Sequence, residues 1–223
     1  MASEARAALP RGLYAITPER SDTAALVRSV EECLAGGAAL IQYRAKLAGP
    51  ALALEQARRL VGACRAARIP LVVNDSVELA LAAGADGVHL GREDMSAREA
   101  RTAFPSGIIG VSCYDEPLRA RAASEAGADY VAVGSLFASA TKPGARHAAL
   151  ETIAAAKRVS GLPVAAIGGI TLDNAARVVA AGADLLGVIS AVFGAPDVRR
   201  AAHSFANLFA DESRHARAQP GPV

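Results

Sequence analysis

Short aliphatic runs alternate along nearly the whole chain with longer Ala-rich stretches that carry Glu and Arg. The runs predict strands at Leu13–Thr17, Ala39–Arg44, Leu71–Asn74, Gly87–Leu90, Gly107–Ser112, Tyr130–Gly134, Val164–Ile167 and Leu185–Ser190. The stretches between them predict helices near 22–35, 51–67, 77–83, 97–103, 116–126, 148–159, 172–181 and 197–209. Each strand run is continuously apolar rather than alternating, as expected when both faces of a parallel sheet are buried. Ala, Leu, Glu and Arg lose little rotamer freedom in a helix, so the intervening stretches suit that state. Strands alternating with helices build right-handed βαβ units.

A phrase repeats at every second unit. Ala83-Gly84-Ala85-Asp86, Ala126-Gly127-Ala128-Asp129 and Ala181-Gly182-Ala183-Asp184 precede the fourth, sixth and eighth predicted strands. Gly36-Gly37-Ala38-Ala39 precedes the second without the Asp. In each, a glycine able to take a left-handed conformation closes a helix and leads straight into a strand. Four such βαβα quarters make a (β/α)8 barrel, a single domain over residues 12–210 with flexible tails at 1–11 and 211–223. The rival, an open doubly wound sheet, would more often carry a GxGxxG turn after its first strand, where this chain has Thr17-Pro18-Glu19-Arg20.

Composition narrows the function classes. The 223 residues carry 24 Lys and Arg against 22 Asp and Glu, a net charge of +2, and are 52% hydrophobic. Extended disorder is excluded, and there is no basic stripe for nucleic acid. Aromatics make up 4% of the chain with no Trp, which disfavours a base-stacking surface. Three scattered cysteines lack CxxC spacing and read as buried reduced thiols. No apolar run is long enough for a membrane span, and the first residues lack a signal peptide's apolar core, so a cytoplasmic protein is expected.

In a barrel of this kind, chemistry gathers where strands end and βα loops begin. After the second strand comes Gln42-Tyr43-Arg44-Ala45-Lys46. Gln42 and Arg44 interrupt an apolar strand and, sharing a face, project into the mouth, where two cations and an amide suit a phosphorylated ligand. A solvated loop with ordinary surface charges is the other reading. The third strand ends at Asn74-Asp75-Ser76. Asp75 is either the N-cap of the next helix, with Glu78 completing a capping box, or a metal ligand. Asp94 follows the fourth strand and is free of capping duty, because Ser96 and Glu99 form a better box. Two carboxylates from adjacent strand ends, with cations beside them, fit Mg²⁺, which keeps waters and takes one or two carboxylates plus substrate phosphate oxygens. His89 reads as buried and hydrogen-bonded. Asp86, Asp129 and Asp184 belong to the opposite, stability-bearing end.

Ser112 ends the fifth strand. The loop after the sixth, which includes Ser139, Ala140, Thr141 and Lys142, either cradles a phosphate or is a flexible surface segment. Gly168 and Gly169 after the seventh strand, with Ile189 and Ser190 after the eighth, occupy the place where barrels often bind phosphate through backbone amides. Together these give two anion sites across one barrel mouth and no Ser/His/Asp or Cys/His nucleophile pair.

Read in order, Leu13-Tyr14-Ala15-Ile16-Thr17-Pro18, Gln42 to Lys46, Asn74-Asp75, Gly84 through Asp94, Gly110-Val111-Ser112, Thr141-Lys142 and Ile167-Gly168-Gly169-Ile170 resemble the thiamine-phosphate synthase family from about residue 12 to 197. The resemblance implies a (β/α)8 transferase. It would join hydroxymethylpyrimidine diphosphate to a thiazole phosphate and release diphosphate, with Mg²⁺ on Asp75 and Asp94. By position, Gln42, Tyr43, Arg44, Ala45, Lys46, Asn74, Ser112 and Lys142 would contact the pyrimidine diphosphate. Ser139, Ala140, Thr141, Gly169, Ile189 and Ser190 would hold the thiazole phosphate. Arg44 and Lys142 would stabilise charge developing on the leaving group. Tyr43, Ala45, Arg92 and Ser139 depart from the residues usual in the family, and none removes a required functional group. A thiazole tautomerase-like relative and a non-catalytic phosphate-ligand sensor are the alternatives; retention of Arg44, Lys46, both aspartates and Lys142 argues against the first. The implied partners are small molecules, without nucleic acid or membrane, and a homo-oligomer is compatible with the chain.

Overall fold

In a computed structural model describing residues 9–138 and 147–218, with side chains described to residue 210, the aliphatic runs pair in parallel. The strands are β1 (Gly12–Ile16), β2 (Ala38–Tyr43), β3 (Leu71–Asn74), β4 (Gly87–Leu90), β5 (Ile108–Tyr114), β6 (Tyr130–Val133), β7 (Val164–Ile167) and β8 (Leu185–Val188). They follow chain order around a closed barrel, and Gly12, Leu13, Tyr14 and Ala15 pair with Leu185 through Val188 to shut it. The intervening helices are α1 (Thr23–Ala35), α2 (Pro50–Ala67), α3 (Val77–Ala83), α4 (Ala97–Ala103), α5 (Pro117–Glu125), α6 (Glu151–Ser160), α7 (Leu172–Ala180), α8 (Ser190–Phe193) and α9 (Val198–Ala218). No described helix is long and apolar enough to cross a membrane.

Two apolar layers result because successive strand residues face opposite sides. Tyr14, Leu40, Val72, Tyr130, Ala132, Ala165 and Leu185 fill the barrel interior. Leu13, Ile41, Val73, Val88, Val131 and Leu186 point outward and pack against the helices. Cys33, Cys64 and Cys113 lie in this outer layer as free buried thiols, and burial pushes each of them up to about 12.

Most boundaries shift by a residue, α6 starts three residues later than expected, and three other differences have a structural cause. The β5 strand runs past Ser112 to Tyr114 through an irregularity in its pairing with β6. β8 stops at Val188, because Ile189 turns out of extended conformation (φ −113°, ψ −82°) and Ser190 opens the short α8. Helix α9 continues beyond 210 into the expected tail; Ala202, Phe205 and Phe209 form its buried stripe, and no Gly or Pro interrupts it before Pro220.

The repeated Gly-Ala-Asp phrase closes the end of the barrel opposite the mouth. Gly84, Gly127 and Gly182 all adopt positive φ, and the Asp two residues later clamps the preceding strand. Asp86 accepts from Leu71 N–H at 2.8 Å and returns its own N–H to Leu71 O at 2.9 Å. Asp129 does the same with Ile109 (2.8 and 2.7 Å), and Asp184 with Val164 (2.9 and 2.8 Å). Arg101 pairs with Asp129, while Lys157 and Arg11 pair with Asp184. The three aspartates therefore serve the stability-bearing end, as expected from their place in the repeat.

A hydrogen bond to a charged acceptor contributes about 1.5–3 kcal/mol, so Asp129→Ala should cost at least that, since it also removes the ion-pair partner of Arg101 and leaves that guanidinium on backbone carbonyls alone. Asp129→Asn, which keeps one acceptor oxygen, should cost less. Urea unfolding checks the order, and equal losses in the two variants would contradict it.

Candidate active site

At the C-terminal ends of the strands the barrel opens into a cavity of about 600 Å³. Its walls include Gln42, Arg44, Asn74, Ser112, Gly169, Ile189 and Ser190, seven of the expected residues, whereas Lys46, Asp75 and Asp94 are not among the residues that line it. Two others face elsewhere. Tyr43 points outward into the helix layer, 1% exposed, and its hydroxyl donates to Gln56 Oε1 at 2.8 Å. Ala45 packs against the same layer. Alternation along β2 is the reason: with Gln42 and Arg44 inward, the residues between and beyond them must point out. As side-chain contacts with a ligand in the cavity, Tyr43 and Ala45 are thus excluded. Ser139, Ala140, Thr141 and Lys142 lie outside the described residues.

The β2 loop is held by a residue whose importance the sequence did not betray. Glu19 Oε1 accepts from Lys46 N–H at 2.7 Å and pairs with Arg44 Nη1 at 3.3 Å, and Glu19 Oε2 takes Leu47 N–H at 3.4 Å. Thr17 Oγ1 adds a bond from Arg44 N–H at 2.9 Å. Glu19 and Thr17 stand in the Thr17-Pro18-Glu19-Arg20 turn after β1, the same turn whose sequence argues against a nucleotide loop. Arg44 is thereby aimed inward with 18% of its side chain exposed.

Asp75 does not cap the next helix. Ser76 is the N-cap of α3 and its side chain accepts from Leu79 N–H. Asp75 instead takes a left-handed conformation at φ 66°, one that Asp tolerates better than most residues, with its N–H bound to His89 O at 2.8 Å. Its carboxylate is free to reach Lys46 Nζ at 2.9 Å and lies within hydrogen-bonding reach of Asp94. Asp94 accepts from Gly91 N–H at 2.6 Å, while Ser96 and Glu99 form the capping box of α4 as expected. Burial raises the Asp94 carboxyl above the usual carboxylate range, and the neighbouring Asp75 pushes it further, against the pull of Gly91 N–H and Lys46. Two carboxylates pressed together in this way demand a proton or a cation. Among the described residues no group of three or more His, Cys, Asp or Glu is assembled for a metal. The pair therefore fits an ion that completes its shell from water and phosphate, as Mg²⁺ does.

Across the mouth the residues described after β7 and β8 that line the wall, Gly168, Gly169, Ile189 and Ser190, are uncharged. Gly168 and Gly169 have φ of 94° and 64°. A Cβ at either would strike the loop after β6, at Ser135 for Gly168 and at Phe137 and Ala138 for Gly169. Their first role is to let that loop cross close by, where Phe137 N–H binds Gly168 O at 3.1 Å. Ile189 and Ser190 border the cavity at the start of α8, an extra helical turn after β8 that the sequence did not reveal.

Beneath the mouth, Gln42, His89 and Ser112 are joined by two interior tyrosines. Tyr14, Gln42, His89, Ser112 and Tyr130 are hydrogen-bonded in a row across the interior. His89 is 6% exposed, buried and hydrogen-bonded as expected. At the rim, Arg92 pairs with Glu116 and lies over the Tyr114 ring at 4.8 Å, and Arg119 ties Ser112 O to Gly91 O.

Comparison with known proteins gives one answer. The thiamine-phosphate synthase of Aromatoleum aromaticum is 56% identical over 200 residues, covering 89% of this chain and 96% of that protein. That of an Azoarcus species is 53% identical over 201 residues, covering 90% and 98%. The thiamine phosphate pyrophosphorylase of Pyrococcus furiosus superposes with a TM-score of 0.82 at 40% identity, over 90% of this chain and 96% of that one. A family model described as thiamine monophosphate synthase matches residues 13–192, the whole barrel from β1 into α8. The chain belongs to the thiamine monophosphate synthase family.

Proposed function

We propose that the protein joins 4-amino-2-methyl-5-hydroxymethylpyrimidine diphosphate to 4-methyl-5-hydroxyethylthiazole phosphate, giving thiamine phosphate and diphosphate. The observation that carries this reading is the asymmetry of the mouth. Asp75, Asp94 and Lys46 meet in the loops after β2, β3 and β4, on the side where Arg44 lines the cavity, while Gly169, Ile189 and Ser190 line it after β7 and β8. A diphosphate with its counter-ion suits the first side and a monophosphate ester held by backbone amides the second.

Asp75 and Asp94 would hold Mg²⁺, which when bound draws negative charge from the diphosphate oxygens and makes that group a better leaving group. The protein's own groups do the rest. Glu19 and Thr17 hold Arg44 so that its guanidinium is already in place when the C–O bond to the hydroxymethyl carbon breaks and its electron pair departs with diphosphate. By the resemblance Lys142, which lies outside the described residues, would add its charge to those of Arg44 and Lys46. The neutral wall keeps the thiazole beside the exposed methylene carbon, where the thiazole nitrogen supplies the electron pair of the new C–N bond. No side chain has to become covalently attached, which agrees with the want of a nucleophile and base pair in the sequence. A cytoplasmic location belongs to the same reading, with three free buried cysteines as its support.

Purified protein should form thiamine phosphate from the two precursors with Mg²⁺ and stop in excess EDTA; turnover undiminished by the chelator would defeat the metal assignment. Asp75→Ala and Lys142→Ala should each lower turnover by roughly 10²–10³-fold, the loss typical of one preorganised charge contact. Steady-state kinetics checks this, with circular dichroism to show that each variant is folded. Near-native rates in both would mean that the charged rim is not where diphosphate leaves.

A further inference from the structure

The row of polar side chains inside the barrel has a direction. Gln42 Nε2 binds Tyr14 Oη, Tyr14 Oη lies 2.7 Å from Tyr130 Oη, Tyr130 Oη is 2.9 Å from His89 Nδ1, and His89 Nε2 is 2.9 Å from Ser112 Oγ. Tyr14 and Tyr130 are fully buried, Gln42 is 3% exposed, and both ends of the row line the cavity. An amide nitrogen can only donate. Tyr14 oxygen therefore accepts from Gln42 and gives its single hydrogen to Tyr130, which gives its own to His89 Nδ1. A ring nitrogen that accepts is bare, so the neutral imidazole carries its proton on Nε2 and donates to Ser112 Oγ.

Burial raises both phenols well above their usual range, with the Tyr14 environment moderated by its bonds to Tyr130 and Gln42, so both hydroxyl protons are present to be counted. An imidazolium is incompatible with the row. Nδ1–H would donate to a Tyr130 oxygen already accepting from Tyr14, and the Tyr130 hydrogen would be left without an acceptor in a dry interior. With the Gln42 amide in this orientation, the state of the two ends follows. Ser112 Oγ is filled by His89, which turns its hydrogen toward the cavity. Gln42 Oε1 accepts no hydrogen bond among the described residues, yet is not sealed from the cavity that Gln42 lines.

We propose that Tyr14, Tyr130 and His89 are positioning residues that form a one-way hydrogen-bond chain, holding Gln42 as an acceptor and Ser112 as a donor toward the substrate. The chain selects a heteroaromatic ring that shows a donor and an acceptor together, as an aminopyrimidine does with its amino group and ring nitrogens. Turning the Gln42 amide over would reverse every bond in the row, leave Ser112 as the acceptor, and move the His89 proton to Nδ1. The tautomer of His89 thus reports the orientation of an amide three side chains away.

The substrate half of this proposal rests on the reaction assigned above, whereas the direction of the chain does not. The first measurement uses the free protein. Nitrogen NMR of labelled histidines, with His89 assigned by the signal missing in His89→Gln, should show a neutral Nε2–H ring at neutral pH. An Nδ1–H ring or an imidazolium overturns the proposal and leaves the reaction untouched. Tyr130→Phe then cuts the chain without touching the ligand. It should raise KM for the pyrimidine diphosphate about tenfold, the equivalent of about 1.4 kcal/mol, and leave KM for the thiazole phosphate unchanged. Parallel changes in the two constants, or none, overturn the positioning role. If the wild-type protein yields no thiamine phosphate, the reaction falls and with it the choice of ring, and the tautomer still decides the direction.

Discussion

Closure of the sheet is the interaction on which the other features depend. Four residues of β1 meet four of β8 in parallel register, so no strand is left with an unpaired edge, and the interior below the mouth is filled by side chains. Inside such a cylinder every polar group must find a partner or face the mouth, and among the described residues no buried side-chain nitrogen or oxygen lacks one. The tyrosines, His89 and Gln42 are therefore bound to each other, and only the upper ends of the strands remain for a ligand. At the other end the three aspartate clamps fasten β3 to β4, β5 to β6 and β7 to β8, each through one bond to the carboxylate and one between backbones. Chemistry and stability thus occupy opposite ends of the same strands.

Much of the fold was legible because its signals are local. Continuous apolar runs announced buried parallel strands, and the Gly-Ala-Asp phrases marked the joints, including the reason that Asp86, Asp129 and Asp184 stand outside the site. The elements that escaped notice are those set by backbone conformation rather than composition. Ile189 leaves the strand conformation while still looking like strand sequence, and α8 is too short to show a period. Helix α9 passes 210 because a polar, Ala-containing stretch reads equally well as tail or as exposed helix.

The site was legible in part. Gln42, Arg44, Asn74, Ser112 and the pair Ile189 and Ser190 could be placed from strand ends alone, whereas Tyr43 and Ala45 entered with the stretch that contains them and fall on the outer face of β2. Asp75 carried two readings that only backbone geometry separates: with Ser76 doing the capping, its carboxylate is left for Lys46 and Asp94. Glu19 was invisible because its partners are 25 to 28 residues away and two of them are backbone amides. The interior row was hidden for a related reason. Tyr14 and Tyr130 look like ordinary strand residues, and the meaning lies in which hydrogen faces which lone pair across the barrel.

One small residue carries an outsized consequence. Gly110 faces the barrel interior beside Tyr130, and a Cβ there would land on the phenol ring. The vacancy at 110 is the berth in which that ring lies. Even alanine, the mildest exchange on most scales, would evict an aromatic group and disconnect amide from imidazole, although residue 110 itself forms no part of the wired row. Selectivity here is encoded partly by a missing methyl, which makes this glycine a recognition element that no inventory of ligand contacts would include.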